Sequence, residues 1–186
     1  MPDVSAASIE RATGRAQDAW FDELDALDAD DHTARTKALS AAHPDVSGWW
    51  IQAVVVEYER ARGLREVGQS CAGDYQVSCS KTVALDADAA FERIVTADWL
   101  PGARWEEGAT FTTHGGDVEV RVVTPGKQVR FWWHDDDGRA TIVADVWPNK
   151  AGDKHSIRIT AMGLPSQEAR ARHREHWKAA LDVLAG

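Results

Sequence analysis

The chain has little of three features that would assign it to a particular protein class. It has only two cysteines, Cys71 and Cys79, and a small secreted domain held by disulfides needs more. It has no run of 18 or more apolar residues, so no segment is predicted to cross a membrane. The first fifteen residues lack the basic start and apolar core of a secretory signal. Together these absences predict a cytoplasmic protein.

Positive charge is also scarce. The chain has 21 Lys and Arg against 30 Asp and Glu, which gives a formal net charge of -9. Nucleic acids and anionic membrane surfaces are bound through basic patches, so neither is expected as a partner. Tryptophan, by contrast, is plentiful, with nine residues, and 44% of the chain is hydrophobic. A disordered chain would be far less apolar, so the composition predicts a folded globular protein.

The hydrophobic pattern changes character near residue 70. Before that point, apolar residues recur at helical spacing and predict about four helices. Gly14 is the expected end of the first helix, and Thr33 and Ser47 are the expected N-caps of the third and fourth. The stretch 68–74 is small and contains glycine, as linkers do. We therefore predict a helical domain over 1–67 and a second domain over 75–186.

The second domain has the pattern of an α+β protein. A strand over 75–85 precedes a helix that Asp86 caps, and short strands with frequent turns then lead to a long final helix that begins after Ser166. Turns every 8–12 residues indicate an antiparallel meander. A twisted meander must cover its apolar face, and a long helix can lie in its concavity. This predicts a helix-grip fold, with a curved antiparallel sheet around the C-terminal helix, behind an N-terminal bundle of about four helices.

Several stretches resemble known families. In the second domain they are Ser80–Ala84, the run Thr-Pro-Gly-Lys-Gln-Val-Arg-Phe-Trp-Trp from 124 to 133, and the final helix with Trp177. This domain resembles the START-like (SRPBCC) helix-grip superfamily, and most of all its branch homologous to activators of the heat-shock-protein ATPase. Through Trp20-Phe21 and Val-Ser-Gly-Trp-Trp at 46–50, the first domain resembles a small helical domain of unknown function found ahead of that branch.

The resemblance implies a binding function. We expect non-catalytic binding of a small apolar or amphipathic molecule in a cavity between the sheet and the C-terminal helix. The alternatives are a protein-binding chaperone cofactor or regulator of the heat-shock ATPase activator type, and a cyclase- or aromatase-like enzyme. No residue cluster has a catalytic signature, so the sequence leans against an enzyme without deciding the point. No cofactor is expected, and the sequence does not define the oligomeric state.

The strand alternation gives the candidate ligand-binding residues. Val129, Phe131 and Trp133 share one face of their strand, and Phe131 should face Ile142 if the intervening loop has an even number of residues. The apolar-phase residues of the strands and the final helix are expected to line the cavity: Phe111, Val120, Phe131, Trp133, Ile142, Ile157, Trp177 and Leu181. Pockets and cores use the same residue types, so an ordinary core is the alternative.

Four other tryptophans suggest an interface between the two domains. The opposite phase of the strands has Trp132 and Trp147, and the fourth helix has Trp49 and Trp50. Burying apolar area contributes about 25 cal/mol per Å², so two such surfaces tend to pack together. These four side chains are therefore expected between the helices and the sheet. The alternative is that Trp49 and Trp50 pack within the helices and that Trp132 mediates dimerisation.

Three polar clusters are candidate sites. His173 and His176 have a spacing that can hold zinc, but no third ligand is evident and arginines surround them, which favours a solvated helix face. The run His-Asp-Asp-Asp-Gly at 134–138 lacks the ligand pattern of a calcium loop and is typical of a hairpin turn. Glu106 and Glu107 would be acids if they were buried, but loop carboxylates are usually exposed. No metal is expected.

Overall fold

The structure is a computed structural model that describes residues 4–70, 72–148 and 154–186. The chain divides into two compact units, Met1–Cys71 and Ala72–Gly186. Cys71 itself lies outside the described residues. Within the part of the chain that the structure describes, no helix is long and apolar enough to cross a membrane.

The first unit contains four helices, as predicted. They are α1 (Ala6–Thr13), α2 (Gln17–Asp25), α3 (His32–Ala42) and α4 (Gly48–Ala61). Gly14 ends α1 in the left-handed conformation, with φ of 70°, which glycine adopts without a steric penalty. The prediction of Thr33 as the N-cap of α3 was wrong. Asp31 is the N-cap, and its carboxylate accepts a 2.7 Å hydrogen bond from the backbone N–H of Ala34.

The core of the first unit is centred on α4. Its inward residues pack with side chains from the three other helices in one cluster: Ile9, Trp20, Phe21, Leu24, Leu39, Ile51, Val54, Val55 and Tyr58. Tyr58 meets Phe21 edge to face, with ring centroids 5.5 Å apart. The apolar spacing of α4 is what places so many of its side chains inside, since a helix that is apolar around much of its circumference is buried on more than one side.

A buried carboxylate completes this unit. Glu59 on α4 is only 3% exposed. Its oxygens lie 3.2 Å from the guanidinium of Arg35, 2.7 Å from that of Arg65 and 3.1 Å from Nδ1 of His32. Since a buried charge is tolerated only when it is paired, these partners explain how α4 can bury a glutamate.

The second unit has the predicted α+β helix-grip fold. Its elements are β1 (Tyr75–Val83), α5 (Ala87–Thr96), β2 (Thr110–Thr113), β3 (Gly116–Thr124), β4 (Gln128–Asp135), β5 (Gly138–Pro148), β6 (His155–Leu164) and α6 (Gln167–Ala185). The six strands form one antiparallel sheet in the order β1-β6-β5-β4-β3-β2. Asp86 and Ser166 cap α5 and α6 as predicted, and α6 packs on β1 and β6.

The inward face of the sheet follows the predicted alternation. Val129, Phe131 and Trp133 are buried in β4, and Phe131 lies directly opposite Ile142 of β5. These strand residues form one buried cluster with side chains of α5 and α6. The C-terminal helix therefore covers the apolar face of the sheet, which positions its own side chains beside the ends of β4 and β5.

Candidate functional site

The eight predicted ligand-binding residues lie together. Phe111 is partly buried, and the other seven are buried members of the same core cluster. The rings of Phe131 and Trp133 meet that of Trp177 with centroids 6.3 and 5.2 Å apart. The structure confirms none of these side chains as a ligand contact, and a cavity among them stays a prediction.

Two aromatic residues that the sequence analysis did not select complete this cluster. Trp99 and Trp105 stack with ring centroids 5.4 Å apart, and Trp105 also packs against Phe131 and Phe111 at 5.6 and 6.1 Å. Both follow α5, in the segment that leads to β2. Two tryptophans within seven residues of such a segment were a signal that it folds back onto the core.

An open pocket of about 860 Å³ lies next to the cluster, where β2–β3 and β4–β5 turn and α6 passes. Its lining residues come from these three places: Thr112, Gly115, Gly116, Asp117, Trp133, His134, Asp135, Asp136, Asp137, Arg172, His173 and His176. Trp133 is the member of the predicted set that this lining contains. We call this feature the hairpin pocket.

Glycine shapes one wall of the hairpin pocket. Gly115 has a φ of 100° in the turn before β3, a conformation that other residues rarely adopt. At Gly116 an added Cβ would lie 2.7 Å from the carbonyl oxygen of His134 and 2.7 Å from the Trp133 ring. The two glycines thus form the turn between β2 and β3, and Gly116 also lets β3 approach the indole of Trp133 closely.

The β4–β5 hairpin forms the opposite wall. It is the turn that the His-Asp-Asp-Asp-Gly run predicted. Oδ2 of Asp135 accepts a 2.8 Å hydrogen bond from Nε1–H of Trp133, and Oδ1 accepts one of 2.9 Å from the backbone N–H of Asp137. The guanidinium of Arg172 on α6 pairs with both carboxylate oxygens of Asp137. The Asp137–Arg172 ion pair therefore connects the hairpin to α6, and the hydrogen bond from Trp133 to Asp135 fixes the Asp135 side chain against the sheet.

The prediction that His173 and His176 lie on a solvated helix face was wrong. His173 is 4% exposed, and the ring of His176 packs against Trp177 and Trp133 with centroids 4.4 and 5.1 Å apart. The reason is helical spacing. His173 lies four residues before Trp177, so both fall on the same buried stripe, while the arginines of this helix occupy other positions around it.

The hydrogen bonds of His173 define its tautomer. Nε1–H of Trp177 donates to Nδ1 of His173 over 3.2 Å, so the proton of the neutral imidazole is on Nε2. That nitrogen lies 3.3 Å from Oδ2 of Asp135 but is not aligned for a hydrogen bond, and it is buried without a hydrogen-bond partner among the described residues. Nε2 of His176 is likewise buried without a hydrogen-bond partner among the described residues.

Burial lowers the pKa of both imidazoles. For His173 desolvation outweighs the carboxylates of Asp135 and Asp137, which favour the charged ring, and Arg172 adds to the lowering of its pKa. For His176 the pKa is lowered by burial and by His173, against the charge of Asp135. At neutral pH the imidazoles of His173 and His176 are therefore neutral.

This shift predicts a loss of stability in mild acid. Unfolded histidines titrate near pH 6.5, and the lowered folded pKa means that the unfolded chain binds protons first. The free energy of unfolding of the second unit should fall as pH drops below about 6.5, by up to about 1.4 kcal/mol per pH unit for each imidazole. Hydrogen exchange of β4 amides between pH 7 and 5.5 measures it. His173→Gln and His176→Gln should each reduce the slope, and unchanged slopes would contradict the assignment.

Three ligand-type atoms converge in the same place. One atom each from Asp135, Asp137 and His173 lies within 4.8 Å of the others, a grouping that the sequence analysis did not foresee. A metal on Nε2 of His173 would require a proton on Nδ1, where Trp177 already donates. Asp137 is also committed to Arg172. The hydrogen-bond pattern therefore fits an organic ligand better than a metal ion.

The four predicted interdomain tryptophans are placed as follows: Trp49 and Trp50 on α4, Trp132 on β4 and Trp147 on β5. Guanidinium groups of Arg121 and Arg139 lie 4.0 and 4.6 Å from the ring centroid of Trp132. Arg158 lies 4.3 Å from that of Trp147. Through these cation–π contacts, both rings have a local structural role on the outer face of the sheet. The interface between the domains stays a prediction.

The remaining candidates have structural contacts. Glu106 and Glu107 are exposed, as expected, and Glu107 accepts a 3.0 Å hydrogen bond from the backbone N–H of Val123. Cys79 in β1 packs against the core, and burial raises the pKa of its thiol. A thiol with a raised pKa is a poor nucleophile at neutral pH, and its position against the core gives Cys79 a structural role.

Comparison with known proteins identifies the family. The family described as "Activator of Hsp90 ATPase homolog 1-like protein" matches residues 90–186, just over half of the chain. The chain belongs to this family. The predicted membership in the SRPBCC superfamily and in its heat-shock ATPase activator branch is thereby confirmed. All residues that line the hairpin pocket fall within the segment that this Hsp90-ATPase-activator-like family matches.

Solved structures show the same fold at low identity. CalU16 from Micromonospora echinospora is 15% identical, with a TM-score of 0.53, and the match covers 61% of this chain and 74% of that one. A protein from Nitrosospira multiformis is 14% identical, with a TM-score of 0.51 and coverages of 59% and 93%. DynU16, from the dynemicin biosynthetic locus, is 17% identical, with a TM-score of 0.50 and coverages of 59% and 45%. A comparison with curated proteins gave no match.

Proposed function

We propose that the second unit binds a small amphipathic molecule in the hairpin pocket without transforming it. The observation on which this rests most is that His173 lines the pocket and that its buried Nε2–H has no hydrogen-bond acceptor among the described residues. Leaving a buried donor unpaired costs about 1–3 kcal/mol. A ligand oxygen at this position would satisfy it, so the donor favours a bound molecule over an empty recess.

The size and lining of the hairpin pocket support the same proposal. Its volume of about 860 Å³ falls in the range of roughly 300–1,000 Å³ that is usual for small-molecule sites. Trp133 offers an apolar wall, and the polar groups of Asp135 and His173 lie beside it. Phe131 and Trp177 belong to the cluster behind Trp133. The predicted cavity between sheet and α6 would be the inward continuation of this pocket.

An acid–base enzyme of the cyclase type is the second candidate. It is favoured by the two buried imidazoles, since general acids and bases are often histidines with shifted pKa values. His173 is a poor base at Nε2, because the hydrogen bond from Trp177 keeps the proton there. The role of base would fall to His176. The protein-binding alternative is supported by the family description, and no feature of the described residues favours it specifically.

Titration with a neutral amphipathic probe tests the proposal. We expect 2-(2-naphthyl)ethanol to bind saturably with a Kd of about 1 mM or tighter, as suits a ligand of this size. In two-dimensional NMR the largest shifts should fall on the indole N–H of Trp133 and the amide of Gly116. Trp133→Phe, which replaces the indole wall of the pocket with a smaller ring, should weaken binding.

The control is Trp147→Phe, because Trp147 is 51% exposed and lies outside the hairpin pocket. This variant should bind the probe as the natural chain does. An absence of saturable shifts, or shifts confined to residues far from Gly116 and Trp133, would refute the proposed site without any variant being needed.

A further inference from the structure

The charge of the hairpin pocket leads to a more specific inference, which rests on the proposed function. We propose that the pocket selects a ligand with a protonated amine and a neighbouring hydroxyl or ether oxygen, the class of amino alcohols and amino ethers. The acidic hairpin would receive the amine, and the buried N–H of His173 would donate to the oxygen.

The hairpin pocket has an excess of negative charge. Four aspartates line the hairpin pocket, Asp117, Asp135, Asp136 and Asp137, against one guanidinium, that of Arg172. Arg172 is already paired with Asp137. Within residues 4–70, 72–148 and 154–186, the other three aspartates have no Lys or Arg at ion-pair distance. The pocket therefore holds about three uncompensated negative charges.

The neighbouring groups do not cancel this excess. Arg139 directly follows the hairpin, but its guanidinium lies over the ring of Trp132, on the opposite face of β4 from Trp133. The imidazoles of His173 and His176 are neutral, because burial lowers their pKa. A ligand carboxylate or phosphate would meet repulsion here, whereas an ammonium group would be attracted.

Many acidic hairpins are only solvated, so their charge alone does not indicate a ligand. The additional sign of a ligand here is His173. This residue lines the hairpin pocket and is 4% exposed, and its buried Nε2–H has no acceptor among the described residues. Oδ2 of Asp135 is 3.3 Å away but is not aligned to accept a hydrogen bond from it. A neutral N–H donor needs an oxygen lone pair, which an ammonium group alone does not offer. The two requirements together define the ligand class.

Four matched naphthalene probes separate these requirements. 2-Amino-1-(2-naphthyl)ethanol has the amine and the hydroxyl, 2-(2-naphthyl)ethylamine has the amine alone, 2-(2-naphthyl)ethanol is neutral, and 2-naphthylacetate is anionic. At pH 7.5 and low salt we expect the amine to bind about three- to ten-fold tighter than the neutral alcohol. The amino alcohol should bind tighter than either, and the acetate should bind weakest.

Changes in salt concentration and in the charge of the pocket test the origin of the preference for the amine. The preference for the amine should shrink as sodium chloride rises from 20 to 300 mM, because the charges are partly exposed. Asp136→Asn, at an exposed position, should reduce that preference at least about two-fold while binding of the neutral alcohol persists. Asp98→Asn removes one charge outside the hairpin pocket and should leave the preference unchanged.

The outcomes distinguish the two proposals. If the neutral alcohol binds and the amine binds no tighter than it or than the acetate, the inference about ligand charge is wrong and the proposed function stands. If the amino alcohol binds no tighter than the simple amine, the role given to His173 is wrong. If none of the four probes binds saturably, the proposed function itself fails.

Discussion

Replacing Trp177 with alanine is expected to lower the free energy of unfolding of the second unit by about 3–5 kcal/mol. The indole is fully buried and meets the rings of Trp99, Phe131 and Trp133 at centroid distances of 6.4, 6.3 and 5.2 Å. Alanine would leave a cavity between α6 and the sheet that these rigid rings cannot fill. It would also remove the donor to Nδ1 of His173.

Two variants separate packing from hydrogen bonding at this position. Trp177→Phe keeps most of the ring contacts but loses the N–H, so its cost should be about 1–3 kcal/mol. Trp147→Ala truncates a half-exposed tryptophan and should cost about 1 kcal/mol or less. Hydrogen exchange of β4 amides reports on this unit alone, which matters because a chain with two units need not unfold in one step. A cost for Trp177→Ala no greater than that for Trp147→Ala would contradict the packing described.

The sheet could be predicted from the sequence because the features that specify it, strand alternation and hairpin length, are local. Alternation along residues 128–134 gives the buried face of β4, and the short hairpin then places Phe131 opposite Ile142. The helix ends are local as well, since Asp86 and Ser166 precede their helices by one residue. Thr33 failed for a related reason. Asp31 is also close enough to the first turn of α3 to cap it, and its carboxylate is the group that accepts the hydrogen bond.

The hairpin pocket could not be predicted, because it depends on contacts between distant parts of the chain. Asp135 and His173 are 38 positions apart, and nothing in either segment alone indicates that they meet. The inward position of His173 was nevertheless available from its four-residue spacing to Trp177. The surrounding arginines favoured a solvated face instead. A helix can have a buried stripe and a charged surface together, because the stripe of buried residues covers only part of its circumference.

The distinction between core and cavity was beyond the sequence for a different reason. Phe131, Ile142 and Trp177 would be chosen equally well for either, because both need apolar side chains on the inward face. What separates them is the space left after packing, and this depends on side chains such as Trp99 and Trp105 that arrive from a loop. The polar rim with an unpaired donor is the more informative sign of a ligand, because an ordinary core does not leave such groups unsatisfied.

Replacing Glu59 with glutamine is expected to destabilise the first unit by about 3 kcal/mol at pH 7. Glu59 is buried, and Arg35 and Arg65, whose side chains are 12% and 10% exposed, would lose their shared counter-charge. Removing one partner of a buried ion pair typically costs 3–5 kcal/mol. We expect the lower end, because both guanidinium groups retain some contact with water. Hydrogen exchange of α4 amides measures the change.

The pH dependence of this cost separates charge from shape. Burial alone would raise the pKa of Glu59, but hydrogen bonds and charges from His32, Arg65 and Arg35 outweigh it and hold the pKa below its usual value. A carboxylate with a lowered folded pKa stabilises the fold fully above its unfolded pKa, near 4.3, and loses this contribution as pH falls through the folded value. The difference between the natural chain and Glu59→Gln should therefore be full at pH 7 and shrink below about pH 4.3. Glu10→Gln, at an exposed position on α1, should change stability by less than about 0.5 kcal/mol at either pH. A cost for Glu59→Gln that stays constant into acid would show that its amide packs badly, and would remove the charge network as the reason why α4 can bury a glutamate.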